Sequence, residues 1–275
     1  MGRGADSVAY LLDGEWVVRV PVTPNAQRTL RCELALLGDL APRLPLPIPA
    51  IAHVARRGER LLLAAYRAVR GEPLTDERLR ALPAVAQHDI LSSLAAFLTA
   101  LHGYPVSAAR RARVTEQLTS GGYHAAQREL PGTLAGLLSA TEIAHLDACF
   151  ARYERVHQPQ TAPCAVLHGD LKPAHVLYDA AAGQITGVLD WGDVSLGDPD
   201  FDLAVIGMFF GPELLARLLE HLPDRDPAVV RDKARFFTTL RGLQDIRYVL
   251  DHGDHATAQR AVARLRDRDD WMASR

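Results

Sequence analysis

The chain has 275 residues with 31 basic and 33 acidic side chains, a formal net charge of −2. That balance excludes the basic footprint of a nucleic-acid binder, and 48% hydrophobic with 23% charged residues is ordinary globular composition. No apolar run reads as a membrane span of roughly 18 residues and no leader-like segment opens the chain, so the expectation is a cytoplasmic monomer with no membrane or nucleic-acid partner.

Cys32, Cys149 and Cys164 lack CxxC spacing and read as buried thiols in a reducing compartment, not as a disulfide or zinc framework. Only Lys172 and Lys233 among the 31 basic residues are lysines. An arginine where lysine is usual therefore carries little meaning by itself.

The chain opens on a glycine-rich stretch containing Gly2, Gly4 and Ser7, whose backbone N–H groups suit phosphate. Alternating residues 8–12, a turn at Asp13-Gly14 and residues 15–20 then read as a β-hairpin. Residues 30–40 have helical patterning and include Glu33; residues 43–50, RLPLPIPA, are proline-punctuated extended chain. A strand at 61–66 runs into a connector with Arg67, Val69, Gly71 and Pro73.

Residues 84–102 predict a long buried helix through Val85, Ile90, Leu94, Phe97, Leu98 and Leu101, with His102 as a structural or capping residue at its end. Glycine and proline interrupt 110–138, which reads as mobile helices and loops. A helix over 141–156 follows, with Ser139 or Thr141 as N-cap and Glu142 in its first turn.

The densest chemistry lies in 166–204, VLHGDLKPAHVLYDAAAGQITGVLDWGDVSLGDPDFDLA. Short apolar runs at 176–178 and 185–189 about a small-residue turn form a hairpin. That hairpin brings His175 near Asp190, with Asp170 on the loop just upstream. Phosphoryl transfer needs a carboxylate to orient the acceptor hydroxyl, which suits Asp170, and oxygen ligands for Mg²⁺, which suit Asp190. His175 is a softer ligand than Mg²⁺ usually takes. Lys172 offers a compact charge to the transferring phosphoryl group.

HGDxxxxH followed by LDWGD and GDPDFDLA resembles the antibiotic phosphotransferases, which share a bilobal protein-kinase-like α+β fold. Histidine at position 175, where most of that group have asparagine, is similar to the aminoglycoside 2″-phosphotransferases and, next, the macrolide 2′-phosphotransferases. The resemblance implies a nucleotide-binding lobe at 1–69, a hinge at 70–74 and a catalytic lobe at 75–275; the family's glycine loop joins two strands, and here the first of them is expected to be absent, a departure from the pattern.

It further implies that Asp170 is catalytic and that His175 and Asp190 hold Mg²⁺. Gly4, Ser7 and Arg19, with Glu33 paired to Arg19, serve the phosphates of ATP or GTP, and Arg67 and Val69 meet its base. Asp198 and Asp202 are structural, bonding the catalytic-loop backbone.

The acceptor, a small hydroxylated compound, is expected at Asp193, Asp200, Phe209, Glu213 and Asp245. Residues 204–211, AVIGMFFG, carry no acid, and as an apolar pocket wall they would suit a lipophilic acceptor such as a macrolide. A metabolic small-molecule kinase and a non-catalytic nucleotide-binding module remain alternatives. Helices are expected at 212–222, 228–250 and 255–268, and the acid–histidine run at 251–255 reads as a hydrated loop instead of a metal site.

Overall fold

Asp13 and Gly14 both take positive φ, 51° and 69°, and Glu15 N–H closes the turn onto Leu12 O at 3.0 Å. This geometry matches the twist of the strands it joins, β2 (Ser7–Leu12) and β3 (Trp16–Pro21). The computed structural model describes residues 2–3, 7–115, 130–158, 164–251 and 253–266. With β4 (Ile51–Arg57) and β5 (Arg60–Arg67) these strands form an antiparallel sheet in the order β1-β2-β3-β5-β4.

Its first member, β1, is Gly2–Arg3, pairing Gly2 with Ala9 and Arg3 with Val8. This two-residue strand lies within the glycine-rich stretch itself, of which residues 4–6 lie outside the described residues.

Helix α1 (Pro24–Leu40) starts earlier than its apolar pattern suggests. Thr23 caps it by accepting from Ala26 N–H, and Pro24 fits the first turn. Leu30 packs on Leu61 and Ala64 beneath the sheet. The 43–50 stretch is irregular extended chain after a short 3₁₀ turn, Ala41–Arg43. Beyond β5, β6 (Glu72–Pro73) pairs with β8 (Val176–Asp179), which pairs with β9 (Gln184–Val188) as the expected hairpin.

The remainder is mostly helical: α2 (Asp76–Ala81), α3 (Ala84–His102), α4 (Val106–Arg111), α5 (Leu130–Thr133), α6 (Ala140–His157), α7 (Asp200–Phe210), α8 (Pro212–Leu219), α9 (Pro227–Asp251) and α10 (His255–Arg266). An antiparallel-sheet part followed by a helical one is the expected α+β kinase-like architecture. Ser139 caps α6 in a reciprocal capping box with Glu142. Residues 116–129 of the expected mobile stretch, and the end of the last expected helix, lie outside the described residues.

Helix α3 is long and apolar enough to cross a membrane, which the sequence reading did not register. Here Ile90, Leu94, Phe97, Leu98 and Leu101 are buried in the main core instead, while Val85, expected inside, is exposed on the first turn. Of the three cysteines expected to be buried only Cys32 is; Cys149 is half-buried beside His145 at 3.4 Å and Cys164 is exposed. In the 251–255 run, Asp254 accepts from Thr257 N–H and so caps α10, while His252 lies outside the described residues.

Candidate active site

The strand β7 (Ala165–Leu167) is fully buried and pairs antiparallel with β10 (Ser195–Gly197). It delivers His168-Gly169-Asp170 into a loop fixed from below by one carboxylate. Asp202 accepts from His168 N–H at 3.0 Å and Gly169 N–H at 2.9 Å, and contacts His102 Nε2 at 3.1 Å. The structural roles expected of Asp202 and His102 are one interaction. Burial opposes the Asp202 charge, yet His102, His168 and the Gly169 amide hold the carboxyl below its usual range.

The loop admits no side chain at Gly169. Its φ is +82°, and a Cβ there would stand 2.3 Å from Asp193 O. Trp191 closes the loop from the other side. Its Nε1–H donates to Val188 O at 3.0 Å, and its ring lies between His168 and Phe97 of α3.

Asp170 is 6% exposed. Its Oδ2 accepts from Lys172 Nζ at 2.6 Å, whereas its buried Oδ1 accepts no hydrogen bond and has Arg241 Nη2 at 3.5 Å. His175 Nδ1 lies 2.8 Å from the Asp170 carbonyl, so Nδ1–H is the donor and the Nε2 lone pair points outward. That lone pair faces Asp190 Oδ2 at 3.3 Å. Asp190 adopts left-handed backbone, φ 59° and ψ 75°, which costs on the order of 1 kcal/mol and aims its half-exposed carboxylate across the hairpin mouth.

His175 Nε2 and Asp190 Oδ2 at 3.3 Å need a proton or a metal cation between them, so these two groups fit a divalent ion. Among the described residues no group of three or more His, Cys, Asp or Glu gathers to hold a metal. The remaining ligands would then be phosphate and water oxygens, which is how Mg²⁺ is commonly held.

From the sheet, Arg19 on β3 meets Glu33 on α1 at 2.5 Å. Burial works against both charges. Glu33 nevertheless holds the Arg19 guanidinium above its ordinary range, while burial leaves the Glu33 carboxyl raised despite Arg19. Helix α1 packs on the turn Trp191–Asp193, close enough for Asp190 and Asp193 to act on Glu33. Asp193 is raised by desolvation in the cleft and then by Asp170 and Asp190, against Arg241.

Ser7 begins β2; Gly4 lies outside the described residues. Arg67 ends β5, pairs with Glu15 and covers the Trp16 ring, while Val69 packs toward Gly187.

The structure gathers Asp170, Lys172, His175, Asp190, Asp193 and, through Arg241, Asp245. Other expected acceptor residues lie elsewhere. Asp200 is buried, held by Lys233 at 2.8 Å and Arg225 at 3.1 Å, because a carboxylate in the core requires cations. Asp198 likewise takes Lys233, at 2.7 Å. Glu213 is exposed and paired with Arg80.

The apolar wall does not form. Val205, Ile206 and Phe210 are core, and only Met208 and Phe209 of that segment are markedly exposed. Sequence reasoning missed Arg241 and Lys233. The rarity of lysine was a signal for the second, since both lysines of this arginine-rich chain neutralise carboxylates.

The APH profile, a phosphotransferase enzyme family, matches residues 1–237. Viomycin phosphotransferase of Streptomyces vinaceus is 49% identical over 57 residues, 20% of this chain and 20% of that protein. The structure is similar to the GDP and kanamycin complex of APH(2″)-IIIa, with TM-score 0.88 and 24% identity over 97% of this chain and 91% of that one. It is also similar to the macrolide 2′-phosphotransferase MphH of Brachybacterium faecium, with TM-score 0.71 and 23% identity over 97% and 90%. With a kinase-like fold, an HGD loop and a family match over most of its length, the chain belongs to the APH phosphotransferase enzyme family.

Proposed function

We propose that this protein is a small-molecule O-phosphotransferase that moves the γ-phosphate of ATP or GTP to a hydroxyl of an aminoglycoside-like antibiotic. The observation that carries the reading is the asymmetric environment of Asp170. One oxygen is bound by Lys172 and the other is buried without a hydrogen-bond donor, 3.5 Å from a guanidinium. That second oxygen is closed to solvent with Arg241 beside it, so an acceptor hydroxyl donates to it once the guanidinium moves aside, which orients the hydroxyl lone pair toward the phosphoryl group.

As the oxygen–phosphorus bond forms and the β–γ bridge breaks, the hydroxyl proton passes to Asp170 and then to solvent, leaving a nucleoside diphosphate. Lys172 offsets charge beside the attacking oxygen. Arg19, fixed by Glu33, meets the donor phosphates between a lobe at 1–69 and one at 75–275, with 70–74 as hinge. Mg²⁺ held by His175 and Asp190 would neutralise phosphate charge, the main demand of a loose transition state.

Relatives named for viomycin and for aminoglycosides support an antibiotic acceptor, and Asp193 and Asp245, both facing Arg241, are the polar groups that border its entry beside Asp170. The collapse of the apolar wall into the core removes the sequence argument for a macrolide. A transfer screen over kanamycin, viomycin, a macrolide and simple sugars, with ATP and GTP, tests the proposal. Nucleotide binding without transfer to any hydroxyl would reject it in favour of a binding module.

A further inference from the structure

Arg241 projects from α9, far along the chain from the catalytic loop, yet it touches three parts of the site. Its Nη2 lies 3.5 Å from Asp170 Oδ1, its Nη1 donates to Gly169 O at 3.4 Å and its Nε donates to Asp245 Oδ1 at 3.2 Å. Asp193 acts on it as well. Burial works against the charge, but Asp245, Asp170 and Asp193 together hold the guanidinium above its ordinary range.

Three carboxylates face one cation beside Asp170, a charge arrangement that would otherwise suit an acceptor ammonium. Here the protein supplies the cation itself. At 23% side-chain exposure Arg241 still borders the cleft, and Lys172 adds a second positive charge across Asp170.

We infer that Arg241 is a specificity-determining residue, excluding acceptors that carry an ammonium group next to the reacting hydroxyl. The inference rests on the phosphotransferase reading and narrows it. The hydroxyl that reaches Asp170 is flanked by neutral or anionic groups, and an aminoglycoside enters only with its ammonium groups turned away from this corner. Two like charges a few ångströms apart in a partly desolvated cleft repel strongly. The same guanidinium offers five donors to a carbonyl or carboxylate on the acceptor.

The test is direct binding of kanamycin, measured by calorimetry without nucleotide, to wild type, Arg241→Ala, Arg241→Gln and Arg241→Lys. Removing the charge unmasks Asp170, Asp193 and Asp245, so the alanine and glutamine variants should bind kanamycin at least about tenfold more tightly than wild type. The gain should shrink at high salt, because the released site is electrostatic. Arg241→Lys, which keeps the charge, should stay within about threefold of wild type.

Glutamine preserves bulk and polarity, so it remains informative if alanine loosens α9, and thermal melts establish that each variant is folded. Equal or weaker kanamycin binding by a folded Arg241→Gln overturns the inference, as does an equal gain in Arg241→Lys. Nucleotide binding and phosphate transfer by wild type are assayed separately. Their failure rejects the phosphotransferase reading and leaves the kanamycin comparison standing.

Discussion

His175 Nδ1 stands 2.8 Å from the carbonyl oxygen of Asp170, so the backbone of one site residue selects the tautomer of the other. With Nδ1 protonated, the Nε2 lone pair is committed toward Asp190 at 3.3 Å. The Asp170 carbonyl thus orients the imidazole in the way the proposed metal assignment requires of an outer contact. His175→Asn keeps a side-chain oxygen to offer the ion, so it should weaken Mg²⁺-dependent nucleotide binding by only about tenfold. On the proposed metal assignment, Asp190→Ala removes an anionic ligand and should cost more than about 100-fold. Titrating Mg²⁺ against a fluorescent nucleotide measures both, and an Asp190→Ala curve overlying wild type would reject the assignment.

Asp170 and Lys172 meet at 2.6 Å, which gives each substitution its own signature. Asp170→Asn keeps shape but cannot take the hydroxyl proton, so kcat should fall by about 10²–10⁴ with nucleotide affinity little changed. Lys172→Met leaves the carboxylate in place and removes only its cation, so the loss should be smaller. Steady-state kinetics with any accepted substrate decide this. A methionine variant slower than the asparagine variant would reverse the two roles.

The hairpin at 176–189 and an N-cap at Ser139 or Thr141 were legible from local spacing, and the Arg19–Glu33 pair from the resemblance to kinases. Asp200 and Arg241 were not. Whether Asp200 faces substrate or core depends on Lys233, 33 positions away, and Arg241 reaches Asp170 from 71 positions away. The segment 204–211 misled for a related reason. An apolar helix face looks the same in sequence whether it lines a pocket or packs on Leu167 and Phe237, and here Ala204 and Val205 pack.

Gly169 is the tightest point of the 168–170 loop. Alanine there would combine a positive φ with a 2.3 Å approach to Asp193 O. Neither can relax alone, since Asp202 pins the amides of 168 and 169. Gly169→Ala should therefore destabilise the fold by about 1–3 kcal/mol and misplace Asp170, costing activity beyond the stability loss. Denaturant melts with parallel kinetics check it; an active, equally stable variant would show that the loop is not so constrained.

The last prediction concerns pH and His168, which is wholly buried. Its Nε2–H donates to Leu189 O at 2.9 Å, and its Nδ1 accepts from Asp170 N–H at 3.3 Å. Both nitrogens are thus satisfied in the neutral ring, and a second proton would turn Nδ1 against a fixed N–H. Burial lowers the folded pKa, with His175 adding to that and Asp202 opposing it. In the unfolded chain the ring titrates near its ordinary value of about 6.5. Below that value the unfolded state binds the proton and the folded state does not. Stability is therefore unaffected above about pH 6.5 and falls on acidification, by up to about 1.4 kcal/mol per pH unit, until the lowered folded value is reached. His168→Gln retains a donor for Leu189 and has nothing to titrate. It should be less stable than wild type at pH 7.5, yet lose less between pH 7.5 and 5. Unfolding free energies at three pH values give the comparison, and identical slopes for the two proteins would show that His168 is not the group responsible.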